Sequence, residues 1–432
     1  MYKVIVFEKS SRIGGKCYDI QYRGTPQAQG ADFLEANYFN ADSLIPFLEE
    51  YGLADIVQVT PTDIWKTNSA QDPGSKLARF QFLLLATSKL TNSTSPEVNS
   101  EFLLKAIIQY ITIHKEMFGL YEGDLMQRPT PQVMHRTRGT LLDFLKREDL
   151  LALVPIFQTS QTLPGYGHLD EIGALYGLIW HNPRFILSMV LTALKNAKKP
   201  FASFSFKNGY EHIWKTIAKR ENLTIVFQTD ITNIKHCDNR ICLKTWQNLE
   251  PKTEVCDFLI WTPEVTQYLR TAEKTTEDED RLLKTLQPEV YYAHLIDVEG
   301  GIRHSPTTAF LANVLTKEEE FAVTRTADTA RLLDPKITKP EGIRKYNNKK
   351  GLRTLYALHA PSKHFTQEAI LKEKMRKFLK TGFNVTSVEF LHTVAWSYFP
   401  RYMICCYNIS YVAPGPQVES PRGERGKALG CV

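Results

Sequence analysis

The sequence predicts an α/β protein, a Rossmann-like parallel sheet incomplete at its first strand, with an α+β domain interleaved between the sheet's separated pieces. Three observations carry this. Val4–Phe7 is a short apolar run that ends in an acid, Glu8, and is followed by a basic turn and a glycine pair, Gly14 and Gly15. A second cluster of strand patterns, residues 206–263, returns to that style after a long helical stretch. Between and after these pieces lie helical periodicity over about residues 61–205 and mixed strand and helix patterns over about 285–400.

In chain order, Val4–Phe7 reads as a buried strand whose terminal carboxylate, Glu8, can accept two ribose hydroxyls. Gly14 and Gly15 lie beyond Arg12, where bare backbone N–H groups can approach a pyrophosphate that a side chain would block. A first strand with a G-x-G-x-x-G turn belongs roughly 20 residues before such an acid. Met1 stands seven positions upstream of Glu8, so the chain is expected to begin inside this domain. Gln29-Gly30-Ala31 then precedes an amphipathic helix, Asp42–Tyr51, that Gly52 should terminate.

Ser100–Phe118 has helical caps and spacing, and Thr140-Leu-Leu-Asp143 opens another helix with a capping-box variant. Ile172–Leu194 is apolar but broken at His181-Asn182-Pro183-Arg184, which predicts two core helices rather than a membrane span. Tyr210, Ile213, Trp214 and Ile217 share one helical face. They are followed by strands at Leu223–Phe227, Ile231–Ile234, Ile241–Trp246 and Val255–Pro263, with a hairpin turn at Asp238-Asn239. Thr275–Arg281 reads as a solvated acidic helix start. Val290–Val298 and Thr354–His359 read as strands, and Gln367–Leu379 as a helix.

These segments resemble, in order, the flavin-containing amine oxidases among FAD-dependent oxidoreductases. Glu8, Arg12, Gly14, Gly15 and Lys16 match the Glu-x-x-x-Arg-x-Gly-Gly-Arg/Lys signature that ends the family's second strand. Gly30-Ala31 is similar to its turn near the flavin, residues 208–263 to its helix, adenine-side strand and small meander, and Trp396–Tyr402 to an aromatic segment before the last flavin contact. The resemblance implies an FAD-binding sheet with contacts from Glu8, Lys9, Arg12, Gly14, Gly15, Lys16, Gly30, Ala31 and the backbone of Ile231. It implies a hydride passed to flavin from a small apolar or amine-like substrate. Family amine oxidases place a lysine near the flavin, whereas Pro288–Asp297 contains none, a departure from ordinary amine oxidation. No catalytic residue is assigned.

The expected segments are 1–60 (first cofactor piece), 61–205 (helical substrate piece), 206–284 (second cofactor piece with the meander), 285–411 (substrate piece and start of the last cofactor piece) and a disordered tail, 412–432. Tyr166, His168 and Asp170 in a glycine-rich loop, with Trp396, Tyr398 and Arg401, are the candidate pocket for an apolar substrate. Two alternatives stand beside the FAD enzyme: a truncated or divergent relative that has lost FAD and activity, and an NAD(P)-dependent Rossmann enzyme. With the helix after the first strand and the C-terminal Gly-Asp element both missing from the pattern, the chain as given is expected to bind FAD weakly or not at all.

Bulk composition places few limits on chemistry. The chain has 432 residues, 43% hydrophobic and 23% charged, enough for two full cores. Lysine and arginine exceed acids by 53 to 47, and their clusters lack the interleaved aromatics of a nucleic-acid platform, so a small-molecule partner and no nucleic acid are expected. Seven cysteines, at 17, 237, 242, 256, 405, 406 and 431, have no metal-ligand spacing. Cys237 and Cys242 flank the hairpin turn, where a cross-strand pair is conceivable, and packing as thiols is the expectation preferred for them. No stretch reads as a secretory signal, a soluble protein is expected, and glycosylation-type triplets at Asn92, Asn222, Asn384 and Asn408 arise by chance at this length and leave the compartment open.

Overall fold

The computed structural model describes residues 3–22, 25–31, 34–35, 41–53, 56–59, 63–66, 75–77, 79–120, 128–162, 164–193, 203–206, 208–248, 250–300, 308–310, 321–327, 350–359 and 368–402. The tail 412–432, Cys405, Cys406, Cys431 and the side chain of Arg401 lie outside them. The chain opens with β1 (Ile5–Phe7), β2 (Asp19–Tyr22), β3 (Thr25–Ala28), β4 (Leu34–Glu35), α1 (Ala41–Glu50), β5 (Ile56–Val59), β6 (Asp63–Lys66) and β7 (Ser75–Leu77). A helical run follows: α2 (Arg79–Thr91), α3 (Pro96–Phe118), α4 (Pro131–Arg136), α5 (Leu141–Arg147), α6 (Val154–Phe157), a π-helical turn at Gln158–Thr162, α7 (Ala174–Trp180) and α8 (Pro183–Ala193). Next come β8 (Ser203–Phe206), α9 (Tyr210–Arg220), β9 (Thr224–Val226), β10 (Thr229–Cys237), β11 (Arg240–Gln247), β12 (Glu250–Cys256), α10 (Val265–Thr271) and α11 (Glu277–Leu283). The last block is β13 (Leu286–Gly300), β14 (Thr308–Phe310), β15 (Phe321–Ala327), β16 (Lys350–His359), α12 (Glu368–Phe383) and β17 (Val385–Tyr402).

Two compact units divide the chain, one made of residues 1–13, 217–287 and 400–432, the other of 14–216 and 288–399. In the first, β1 and β9 pair in parallel, with Ile5 opposite Thr224 and Phe7 opposite Val226. β10, β11 and β12 form an antiparallel meander whose first turn puts Asp238 at φ 54°. The strand expected to be buried is not: Val4, Ile5 and Val6 are 59%, 38% and 36% exposed, because β9 is the one strand paired with β1 among the described residues. The strand expected over Val255–Pro263 stops at Cys256, where β12 runs out of partner opposite Ile241, and Phe258 and Ile260 are exposed. Cys237 and Cys242 are joined in a disulfide across the hairpin, correcting the expectation of packed thiols; a five-residue separation closed by the turn brings their Cα atoms to 5.9 Å.

The second unit holds the larger core. α3 begins at Pro96, earlier than its periodicity suggested, because Ser95 caps the backbone N–H of Val98 and proline suits the first helical position. Leu103, Ala106, Ile107, Tyr110 and Ile113 of α3 are buried at helical spacing against α5, α7 and α8. Asn182 separates α7 from α8 and accepts the N–H of Phe185 at 2.9 Å, as the broken apolar run predicts. A seven-stranded sheet runs in the order β17-β13-β16-β15-β14-β6-β7. Its alternation builds two cores: Tyr291, Ala293 and Tyr356 join the helical core, while Tyr292, Ile296, Val298, Leu355 and Ala357 pack on Leu371, Met375 and Leu379 of α12. Among the described residues, no helix is long and apolar enough to cross a membrane.

Candidate functional site

In the first unit, β1 delivers Glu8 to the carboxyl end of the parallel pair, where its N–H donates to Val226 O at 2.9 Å and its carbonyl accepts from Thr229 N at 3.0 Å. Glu8 Oε1 accepts the Ser10 N–H at 2.7 Å, fixing one oxygen of the carboxylate within the turn. The second oxygen makes no hydrogen bond among the described residues. Lys9 is committed to Asp230, 2.8 Å away, in a largely exposed pair. Arg12 donates to Ile13 O at 3.2 Å, and Ile231 lies half-buried in β10 where the pairing with β11 slips by one residue.

In the second unit, Gly14 (φ 103°) and Gly15 (φ 53°) form a left-handed turn closed by Cys17 N to Gly14 O at 2.8 Å. A Cβ on Gly14 would sit 2.7 Å from Cys17 O, whereas one on Gly15 would meet open space. Gly30 lies so close to Lys16 that a Cβ would fall 1.8 Å from Lys16 O, and that same oxygen accepts the Ala31 N–H at 3.0 Å. The turn rests on α9, with Trp214 Cδ1 3.4 Å and Glu211 Cγ 3.6 Å from the Gly14 Cβ position.

Asp19 locks this arrangement from β2. Its Oδ2 accepts the Glu211 N–H at 2.7 Å, and Glu211 Oε2 accepts the Asp19 N–H at 3.2 Å, a capping box made between two separate elements. Gly209 adopts φ 84°, and a Cβ there would lie 2.4 Å from Asp19 Oδ2, so both the backbone conformation and the close approach call for glycine. Burial, with the neighbouring Glu211 charge, pushes the Asp19 carboxyl up to about 6 against the opposing pull of the α9 N–H groups.

The sheet then grips the Ala28–Gly30 segment. Trp396 Nε1 donates to Gln29 O at 2.6 Å, Tyr356 OH to Gly30 O at 3.3 Å and Thr354 Oγ1 to Ala28 O at 3.2 Å. Tyr356 stacks on Tyr291 at 5.7 Å, Tyr291 on Tyr398 at 5.1 Å, Tyr398 on Tyr166 at 6.4 Å and Tyr166 on Trp180 at 5.9 Å. This ladder is an aromatic wall, and Lys16 Nζ lies 5.9 Å from the Tyr398 ring centroid. Phe399, edge-on to Tyr166 at 4.1 Å, is held at φ 38°, a left-handed conformation costly for an aromatic residue.

Of the expected pocket residues, Tyr166, Trp396 and Tyr398 belong to this wall or its anchor to Gln29, in the same unit as Lys16, Gly30 and Ala31. The His168 side chain is buried, and its carbonyl closes the turn by accepting from Glu171 and Ile172. Asp170 is exposed, and the backbone of Arg401 belongs to β17. Tyr291, Tyr356, Trp180 and Asp19 were not singled out by sequence. The tyrosine-bearing alternation of Val290–Val298 and Thr354–His359 was the available signal for the first two.

Each unit, taken by itself, holds a feature of the kind that dinucleotide sites use. A carboxylate with one uncommitted oxygen ends a parallel strand, and a left-handed glycine turn presents open space at Gly15. A family model described as flavin containing amine oxidoreductase matches residues 2–282. Among solved structures, a CLA-producing fatty acid isomerase from P. acnes is 14% identical, with a TM-score of 0.66, covering 93% of this chain and 82% of that one. A putative protoporphyrinogen oxidase from Exiguobacterium sp. 255-15 is 14% identical at 0.60, and a putrescine oxidase redesigned in cofactor binding is 11% identical at 0.59, each with the same coverage. At these identities the likeness is one of fold. No curated protein matches the sequence.

Proposed function

This chain belongs to the flavin-containing amine oxidoreductases, and we propose from that premise that it is an FAD-dependent oxidoreductase acting on a small, largely apolar substrate. Glu8 would hold the adenosine ribose, Gly14 to Lys16 would lie along the pyrophosphate, and Gly30 and Ala31 would approach the flavin. Bound flavin supplies a two-electron acceptor for a substrate hydride. The chain's own residues do the rest: Trp396, Tyr356 and Thr354 hold the Ala28–Gly30 carbonyls in place, and the Tyr166–Tyr398 wall excludes water and presents flat apolar surface.

The observation that carries this reading is the direct anchoring of the flavin-side turn to the strands that bear the aromatic wall. An apolar substrate is favoured over an amine because Pro288–Asp297 offers no lysine and the wall is built from uncharged rings. The isomerase of similar fold is described as acting on a fatty acid, which supports an apolar substrate for this architecture. The test is anaerobic bleaching of protein-bound flavin. With FAD supplied in excess, bleaching by apolar aromatic or alkyl alcohols but not by primary amines supports the proposal; bleaching by amines alone overturns its substrate half, and absence of any flavin binding at saturating FAD overturns it entirely.

A further inference from the structure

The π-helical turn Gln158–Thr162 leads directly into the loop that carries Tyr166. Tyr166 N donates to Gln161 O and Gly165 N to Thr162 O, both at 3.0 Å, so the turn sets the position of a ring in the aromatic wall. Gln158, Gln161 and Thr162 all belong to this one five-residue turn. The hydroxyls between them are accounted for. Thr159 Oγ1 donates to Ile156 O at 2.8 Å, and Ser160 Oγ lies 2.8 Å from Ile156 O and 2.6 Å from His181 Nε2.

Gln158, Gln161 and Thr162 are different. Gln161 and Thr162 are fully buried and Gln158 is nearly so, yet Gln158 Oε1, Gln161 Oε1, Gln161 Nε2 and Thr162 Oγ1 have no hydrogen-bond partner among the described residues. A buried amide or hydroxyl without a partner forfeits its hydration for nothing, and isolated cases in folded proteins call for a cause. Here four such atoms fall within one five-residue turn. π-Helical turns of this kind recur at functional sites.

We propose that Gln158, Gln161 and Thr162 form a specificity-determining polar subsite that takes an uncharged hydrogen-bonding group of the substrate, a hydroxyl or carboxamide, whose apolar body lies on the Tyr166–Tyr398 wall. The subsite offers acceptors in the two Oε1 atoms, donors in the Gln161 amide, and either role in the Thr162 hydroxyl. It contains no charge. An ionic group entering it would give up hydration for dipoles alone, which selects a neutral ligand. His181, in contact with Ser160 Oγ, adds none at neutral pH, since burial holds its pKa down to about 4. The assignment rests on the substrate reading above and names its polar half.

The test uses the full 432-residue chain and five probes that share a ring: benzyl alcohol, benzamide, benzoate, benzylamine and toluene. Binding is read by ligand-observed NMR without added FAD, so the result is independent of flavin loading, which absorbance reports separately. The wild type should bind benzamide and benzyl alcohol at least about tenfold more tightly than the two ions or toluene. Gln161→Leu should melt no lower than wild type, because it removes orphaned polar atoms, and should bind benzamide no better than toluene. Thr162→Val should lose the same preference and Thr162→Ser should keep it. A Gln161→Leu protein that melts lower would mean the amide is already satisfied inside the protein or by resident water. That result, an unchanged probe ranking in the variants, or no probe binding to wild type would overturn the subsite.

Discussion

Asp19 should make the protein less stable as pH rises from about 4 to about 6, opposite to the usual behaviour of a helix-capping aspartate. Its carboxylate caps α9 through the Glu211 N–H at 2.7 Å, and that contact favours the charged form. Burial beside Glu211 opposes this and dominates, moving the pKa from 3.8 to about 6. The folded state therefore holds the proton more tightly than the unfolded chain. Through that window the unfolded state binds fewer protons, so stability falls with rising pH, fully present below about 3.8 and spent above about 6. A shift of that size corresponds to about 3 kcal/mol. Asn at position 19 keeps an oxygen for the Glu211 N–H and carries no charge to desolvate. Urea unfolding of wild type and Asp19→Asn on both sides of the window should show the variant's relative stability rising by about 1–3 kcal/mol between acid and neutral pH. A constant difference, or an advantage that shrinks with pH, would refute the reasoning by showing that the α9 N-terminus outweighs burial.

Three further substitutions test neighbouring parts of the account. Gly165→Ala, at φ 93° with its new Cβ 2.7 Å from Tyr291 Cδ2, should cost about 1–3 kcal/mol and alter near-UV dichroism from the aromatic wall; an unchanged spectrum and melting point would contradict the tight approach. Thr140→Ala removes the side chain that accepts the Asp143 N–H at 2.9 Å and should cost about 1 kcal/mol in thermal unfolding, while Thr140→Ser should not. Trp396→Phe keeps the ring but loses the 2.6 Å bond to Gln29 O, so it should weaken FAD binding while leaving far-UV dichroism intact; unaltered affinity would separate that bond from the cofactor.

Local signals in the sequence carried much of the fold. The Thr140 capping box, the break at Asn182-Pro183 and the left-handed Gly52 after α1 each depend on neighbours within a few residues. The expectation for Val255–Pro263 failed where local pattern meets pairing: its apolar character suits a strand, but past Cys256 there is no partner among the described residues. Site residues followed the same division. Gly14, Gly15 and Lys16 were legible as a contiguous turn, whereas the ladder Tyr356-Tyr291-Tyr398-Tyr166-Trp180 arises from the registers of β13, β16 and β17 and a loop far away in sequence. Asp19 was invisible for a related reason, since it caps a helix 192 residues away.

Titration of the full chain with FAD, followed by flavin fluorescence, tests the central assignment most directly. With the sequence pattern lacking the first-strand helix and the C-terminal Gly-Asp element, we predict weak but saturable binding that ADP competes away and that Glu8→Ala weakens by roughly 10- to 100-fold, the loss expected for charge-assisted hydrogen bonds to a ribose. Absence of saturable binding, or binding indifferent to both ADP and Glu8→Ala, would contradict it.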